Sequence, residues 1–528
     1  MKQYTIFVAE KLHPLGLEML SGETNLVVER GLTPEQLIAR LNEVSADGLI
    51  VRSGTKVTRE LIEAVPSLKV VGRAGTGVDN IDLKAATELG LVVVNAPTGN
   101  SVAAAEHAVA LMMALARNIP QADAAMRRGE WNRHAYIGTA LVGKTLGLVA
   151  LGRVGGEVAK RATALGMSVV AFDPYCPPER AKGVKLVDLN EVWAKSDFIS
   201  LHAPLLDSTH HMINHSSLAK MKRGVYLIND ARGGLIDEEA LIEALDSGQV
   251  AGAALDVFQE EPPRAGNRLV GRPDVIVTPH LGASTTEAQM DVAREVVEAV
   301  IGTLKGETVS SVVNAPMIAP ELLADMMPYM ELAEKLARLA VQVAPSGLDN
   351  VRIIYEGKPA LPDTRPLKAA VIKGLLESIS TSRINRINAE VVAKQRGLRI
   401  TEVKREEPQG PVRDTISIEL GNWQLKRVQG AILRGSPHVI RIQNFWIDLE
   451  LNGCILLCHN KDQPGTIGQV GTLLGQKEVN ISFMQVGRIH ARGDAVMAIG
   501  LDEVPDKELV DEIATIPNIT SSKLIIMT

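Results

Sequence analysis

The sequence predicts an α/β protein with two Rossmann-like, doubly wound lobes. An α+β domain and a small ferredoxin-like βαββαβ module follow. Three observations carry this. Short β-branched runs alternate with helical patterns from the N-terminus to His280. A strand, a turn with glycines at 152 and 155, and a helix open the second series of strands. Residues 452–528 read as strand, helix, strand, strand, helix, strand.

The elements follow in order. TIFVAE, GLIVRS, LKVVGRAG and LVVVNAP are four strands within residues 1–98. The run GNSVAAAEHAVALMMALAR is strongly helical and leads away from that sheet. Strands then recur as TLGLVAL, SVVAFD, FISLHAP, VYLIND, GAALDV and VIVTPH, which makes 99–284 a second lobe. The helix STTEAQMDVAREVVEAVIGTLKG returns toward the first sheet, so the first lobe is expected to be discontinuous, 1–98 plus 285–314. NAPMIAP (314–320) reads as a linker and 321–345 as a helix. A third domain, 315–450, carries the strands VRIIYEG, ISIEL and HVIRIQNFWIDL, and 452–528 is the terminal module.

Length and composition agree with several domains. At roughly 100–200 residues per domain, 528 residues make three or four. The chain is 46% hydrophobic but only 3% aromatic, so its cores are expected to be built from Ala, Val, Leu and Ile. A net charge of −6 with both signs interspersed argues against a nucleic-acid partner. No apolar run reaches the roughly 18 residues of a membrane span, and MKQYTIFVAE reads as a strand. The expectation is no membrane and a cytoplasmic location. Cys176, Cys454 and Cys458 suggest neither a disulfide framework nor a metal site. Cys454 and Cys458 sit in a strand pattern and read as small buried apolar residues.

The turn Ala150-Leu151-Gly152-Arg153-Val154-Gly155 is a dinucleotide-binding pattern. Gly152 lets the backbone approach a pyrophosphate, Gly155 lets helix and strand pack closely, and the helix N-terminus supplies N–H groups. Asp173 closes the next strand eighteen residues after Gly155. Its carboxylate suits ribose hydroxyls and repels a 2′-phosphate, which favours NAD over NADP. The first position, ordinarily Gly, is Ala150. A Cβ there is tolerated as long as φ stays negative.

Three further strand ends carry chemistry. GRPDVIVTPHLGAS delivers His280, ALDVFQEEPP delivers Glu261 and VYLINDARGGLID delivers Arg232. An imidazole, a carboxylate to orient it and a cation for a substrate anion form a set for oxidising a hydroxy acid. His280 is the candidate base, Glu261 its partner, and Arg232 the carboxylate grip. His107, in an otherwise apolar helix, reads as a packing or hinge residue.

VRSGTKVT, GRAGTGVDNID, PTGNSVAAAEHAVAL, ALGRVG, NDARGGLIDEEAL, AALDVFQEEPP and TPHLGAST, in this order, resemble the blocks of the D-isomer-specific 2-hydroxyacid dehydrogenases. The resemblance is nearest to the long phosphoglycerate dehydrogenase branch, with an intervening domain and a final ACT module. DQPGTIGQVGTLLGQKEVNISFMQVGR resembles that ACT module. The resemblance implies NAD-dependent oxidation of 3-phospho-D-glycerate to 3-phosphohydroxypyruvate, on the way to L-serine. It also implies cofactor contacts at Thr76, Arg153, Val154 and Ala203. Asp230, Ala231, Arg232, Asp256, His280, Gly282 and Ala283 would lie toward the nicotinamide end. Substrate anions would meet Arg52, Ser53, Arg73, Gly75, Asn100 and Arg133, the last possibly supplied by a neighbouring subunit. L-serine would meet Asn460, Asp462 and Asn480. A homo-oligomer, as a tetramer, is implied as well. Other readings share these motifs: a reductase of hydroxypyruvate, glyoxylate, D-lactate or 2-oxoglutarate, a non-catalytic NAD-sensing regulator, and an amino-acid sensor with vestigial front lobes.

Overall fold

The computed structural model describes residues 4–527 apart from 177–180, 182, 308, 316–319, 345–347, 362, 381–382 and 422–426. Most of the linker expected at 314–320 therefore lies outside the described residues. The chain forms two compact units. One comprises 1–56, 72–80 and 94–306; the other comprises 57–71, 81–93 and 307–528.

In the first unit, Asn25–Val28, Thr5–Val8 and Gly48–Val51 lie side by side and parallel. The helix Thr286–Lys305 returns to this sheet, as its sequence position suggests. It packs on the helix Pro14–Glu23 and lays Val296 and Val300 against Gly72, where a Cβ would come within 2.6–2.8 Å of them. The Thr285 hydroxyl accepts from Ala288 N–H at one end of this helix, and Gly306 at φ 79° ends it.

The same unit holds a seven-stranded, all-parallel sheet. Its order is Val275–Val277, Val250–Leu255, Val225–Asn229, Phe198–Leu201, Thr145–Val149, Ser168–Phe172, Lys185–Leu186. Helices cover both faces, so the central strands are buried throughout and read as continuous apolar runs. The strand order reverses direction between Thr145–Val149 and Phe198–Leu201. That switch point opens a crevice at the carboxyl ends of the strands, which is where a ligand binds in such sheets.

In the second unit, a six-stranded sheet runs Arg399–Arg405, Asn350–Glu356, Thr415–Leu420, Arg427–Leu433, Ser436–Ile442, Phe445–Glu450. HVIRIQNFWIDL, read as one strand, is a hairpin. Gln443 at φ 52° lies in the tight turn between its two strands, across which Ile442 pairs with Phe445. The terminal module has the expected βαββαβ order, with strands arranged Ile481–Arg488, Asp494–Leu501, Gly453–Lys461, Ile519–Met527. One face of this sheet shares a core with the six-stranded domain, where Leu457, Ala498 and Ile525 join Leu336 and Ile418. Cys454 and Cys458 are free and buried, as read, and burial pushes the Cys458 thiol up to about 12. Among the described residues no single helix is long and apolar enough to cross a membrane.

Candidate active site

The chemistry-bearing side chains stand at the carboxyl ends of the parallel strands. Val275–Val277 leads into Thr278 and His280, Val250–Leu255 into Asp256 and Glu261, and Val225–Asn229 into Asp230 and Arg232. His280 Nδ1 donates to Glu261 Oε2 at 2.7 Å. Burial opposes the Glu261 charge, but the hydrogen bond and charge of His280, helped by Arg232, hold its carboxyl below the usual range. The imidazole, the carboxylate and the guanidinium thus share one electrostatic neighbourhood.

Arg232 Nε donates to Asp79 Oδ2 at 2.7 Å, and its Nη1 donates to the Ala231 carbonyl at 2.6 Å. Asp79 was not anticipated. The only local signal is its place in GRAGTGVDNID, where nothing marks it for a partner 153 positions away. The same segment carries Arg73, whose guanidinium lies over Gly75; a Cβ there would fall 1.6 Å from Nη1. Arg232 covers Gly77 in the same way. Gly75 has φ 149°, a backbone that L side chains rarely adopt. Burial and the charges of Arg232 and Arg52 pull the Arg73 guanidinium down to about 10. Its Nε is buried with no hydrogen-bond partner among the described residues. A partly desolvated cation flanked by two others is stabilised by an anion.

The Arg52–Thr55 loop is organised by a second unanticipated residue, Glu10. Its carboxylate accepts from the N–H groups of Arg52 (2.8 Å), Gly54 (3.2 Å) and Thr55 (2.9 Å). Ser53 is exposed beside it. Thr76 and Asn100 are brought together, with the Thr76 hydroxyl donating to Asn100 Oδ1 at 2.6 Å. Arg133 sits on the exposed turn Arg133–Tyr136, and no contact among the described residues joins it to the other arginines. The helix Ser101–Ala116 has no side-chain cap at Asn100. Glu295 lies just before it and accepts from Thr98 N–H (3.1 Å) and Gly99 N–H (3.0 Å).

The turn that presents His280 is held by Asp256, which is fully buried. Asp256 carboxylate oxygens accept from Leu281 N–H (2.8 Å) and Gly282 N–H (2.9 Å), and its carbonyl accepts from His280 N–H (2.9 Å). His280 itself has φ 56°. Such a left-handed residue persists when its surroundings over-determine it. The Thr278 hydroxyl also donates to Asp256, and His107 Nε2 lies 3.3 Å from the same oxygen. His107 Nε2 also lies 3.2 Å from the Thr278 hydroxyl, so the ring joins this network through polar contacts.

At the cofactor turn, Gly155 is buried where a Cβ would sit 2.3 Å from the Ala150 carbonyl oxygen. This is the close helix–strand approach expected of it. A Cβ on Gly152 would meet nothing within 4 Å, and the helix Arg153–Ala164 has no side-chain cap. Open space before uncapped N–H groups fits a pyrophosphate. Arg153 is exposed, and Val154 is half-buried. Asp173 accepts from Leu151 N–H at 2.9 Å, so its carboxylate stands at the turn. Ala203 is buried after His202, whose imidazole burial pushes down to about 4. Gly282 is buried, with Ala283 half-buried after it, on the His280 turn; Ala231 is half-buried between Asp230 and Arg232. The negative φ under which a Cβ at Ala150 is tolerated is not found. Its φ is 74°, because the chain must turn sharply there to bring Gly152 to the helix start.

In the terminal module, Asp462 accepts from Arg488 Nη1 (2.8 Å) and Arg492 N–H (3.0 Å). Asn460 is buried, with Nδ2 donating to the Lys461 carbonyl and Oδ1 unpartnered. Asn480 donates to Asp502 at 2.6 Å. The register pairs Ile481 with Leu501 and Leu501 with Cys454, whereas Lys461 pairs with Asp494. Asn480 is therefore at the opposite end of the sheet from Asn460 and Asp462, roughly 20 Å away at about 3.3 Å per residue. A single module does not bring these three together.

The chain matches the D-isomer specific 2-hydroxyacid dehydrogenase NAD-binding domain over 109–282, the D-3-phosphoglycerate dehydrogenase intervening domain over 325–443 and the ACT domain over 455–518. It is 49% identical to D-3-phosphoglycerate dehydrogenase 2, chloroplastic, of Arabidopsis thaliana, over 96% of this chain and 84% of that one. It is 44% identical to D-3-phosphoglycerate dehydrogenase of Methanocaldococcus jannaschii, over 97% of this chain and 98% of the relative. Among solved structures, it resembles the D-lactate dehydrogenase of Escherichia coli with a TM-score of 0.52 and 29% identity. That likeness covers 58% of this chain and 99% of that protein. The two front lobes, the NAD-binding turn, the intervening domain and the ACT module together place this chain in the D-3-phosphoglycerate dehydrogenase family of D-isomer-specific 2-hydroxyacid dehydrogenases.

Proposed function

We propose that this chain oxidises 3-phospho-D-glycerate at C2 to 3-phosphohydroxypyruvate. The observation that carries the reading is the 2.7 Å His280–Glu261 pair in the field of Arg232. The Gly152 turn would hold NAD, which would supply the acceptor for the hydride leaving C2. His280 takes the hydroxyl proton through Nε2, since Nδ1 is committed to Glu261. Glu261 fixes the tautomer and stabilises the imidazolium as it forms. Arg232 binds the carboxylate and polarises the C2 oxygen, and Arg52 and Arg73 receive the phosphate. The unpartnered Arg73 Nε supports an anion at that place.

Asp173 would take the ribose hydroxyls, and Thr76, Arg153, Val154 and Ala203 the rest of the dinucleotide. Asp230, Ala231, Asp256, Gly282 and Ala283 would face the nicotinamide end. Gly75, Ser53 and Asn100 would complete the substrate contacts, with Arg133 supplied across a homo-oligomeric, tetrameric interface. The four-part division at 1–98 with 285–314, 99–284, 315–450 and 452–528 belongs to the same proposal. So do a cytoplasmic location and L-serine as an effector of the ACT module. Because Asn480 lies far from Asn460 and Asp462 in one chain, a serine site using all three needs two modules. The two C-terminal domains beyond the reach of the shorter D-lactate dehydrogenase support this reading over a simple reductase.

The test is steady-state NADH formation from 3-phosphoglycerate by the wild type, with and without serine, and by His280→Ala. The variant should lose on the order of 10²–10⁴-fold in rate. Turnover of D-lactate or glycerate with none of phosphoglycerate would overturn the substrate.

A further inference from the structure

Two carboxyl groups, Asp230 and Asp256, meet beneath the His280 turn. Asp256 has a full set of donors: Leu281 N–H, Gly282 N–H and the Thr278 hydroxyl, with His107 Nε2 at 3.3 Å. Asp230 has none of these. Its Oδ2 is buried without a hydrogen-bond partner. Its Oδ1 is pressed against the turn, 2.6 Å from where a Cβ on Gly282 would be. Ligand atoms of His107, Asp230 and Asp256 all lie within 4.8 Å of one another. The charged or titratable groups facing Asp230 are Asp256 from the next strand, His107 from the helix Ser101–Ala116, and Arg232 two residues along. A second bare carboxylate here would leave its buried Oδ2 without a donor among the described residues, and would have a like charge beside it.

We infer that Asp230 is a positioning residue that carries a proton at neutral pH, donating it to Asp256 so that the pair bears one negative charge and holds the His280 turn. Burial and Asp256 push the Asp230 carboxyl up to about 9, in keeping with this. Asp256, favoured by its donors, moves the other way. Loss of the shared proton would set two like charges against each other below Gly282 and loosen the segment that presents the imidazole. The effect on catalysis rests on His280 being the proton carrier; the effect on the cofactor-free protein does not.

The folded chain keeps a proton that an unfolded Asp releases near pH 4, so Asp230 lowers stability progressively as pH rises from about 4 to about 9. Asp230→Asn, which mimics the protonated group, removes that trend. Thermal unfolding of the full-length, cofactor-free protein is to be followed from pH 5 to pH 10 for wild type, Asp230→Asn and Asp230→Ala. The Tm advantage of the Asn variant over wild type should widen by several degrees up to pH 9 and then level. The Ala variant should show the same slope against pH from a lower start, since it leaves a gap. A Tm difference that is the same at every pH overturns the inference. In kcat/KM, the wild-type loss near pH 9 should move up by at least one pH unit in Asp230→Asn; an unmoved alkaline limb also overturns it. Wild-type turnover by His280→Ala, with the Tm pattern intact, would instead remove only the catalytic reading.

Discussion

The two glycines of the cofactor turn should fail in different ways when each gains one methyl group. At Gly155 the new Cβ would stand 2.3 Å from the Ala150 carbonyl oxygen and 3.3 Å from its carbon. The obstacle is backbone, so no side chain can swing aside. Restoring ordinary contact requires the helix Arg153–Ala164 to retreat by about 1 Å, and overpacking of this kind costs about 1–3 kcal/mol. The Tm of the cofactor-free protein should drop by several degrees, and NAD affinity should fall because the helix N-terminus has moved. At Gly152 the added Cβ meets nothing within 4 Å, at φ −70° and ψ −154°, where Ala is unstrained. Cofactor-free Gly152→Ala should therefore keep its stability within about 0.5 kcal/mol. Its NAD Kd should rise about tenfold or more, a loss of about 1.4 kcal/mol, because the methyl occupies the path of the pyrophosphate. Calorimetry without cofactor and tryptophan-fluorescence titration with NAD measure the two effects separately. A Gly152→Ala protein that binds NAD like the wild type would refute the placement of the pyrophosphate. A Gly155→Ala protein with wild-type Tm would refute the packing argument.

Other expectations follow from the same geometry. Ala150→Gly removes a Cβ at φ 74°, relieving about 1–2 kcal/mol of left-handed strain against about 0.5–1 kcal/mol of added unfolded-state entropy. Its Tm should rise slightly, and a fall would deny the strain. Glu261→Gln removes a charge-assisted hydrogen bond worth about 1.5–3 kcal/mol, with the lower end favoured because the pair is two-fifths exposed. Its kcat should fall about tenfold with NAD affinity unchanged; an unchanged kcat would remove Glu261 from the mechanism. Glu295→Ala strips the acceptor from the Thr98 and Gly99 N–H groups and should cost about 1–2 kcal/mol in urea unfolding. A wild-type midpoint would mean that water replaces the carboxylate without loss.

Much of the architecture was legible because it is written in local periodicity. The parallel strands read as continuous apolar runs because helices cover both of their faces, and the βαββαβ order of 452–528 follows from alternation and spacing. His280, Glu261 and Arg232 could be found because each follows a strand, and strands in such a sheet end at one edge. The hairpin within 436–450 was missed because its turn, Gln443, is neither Gly nor Pro. Asp79, Glu10 and Asp230 were unreadable as partners for a different reason. Hydrogen bonds between polar groups leave no periodic trace, and their partners lie far along the chain.

The amino-acid order alone determined that strands alternate with helices up to His280 and so run parallel, and which side chains reach their carboxyl ends, since these depend on neighbours a few residues apart. Folding decided the rest: that Asp79 pairs with Arg232, that Ala150 takes a left-handed backbone, that Asn480 stands at the far end of its sheet from Asp462, and that Asp230 is pressed against a second carboxylate. Each of these depends on distances through space, where burial and charge act without regard to separation along the chain.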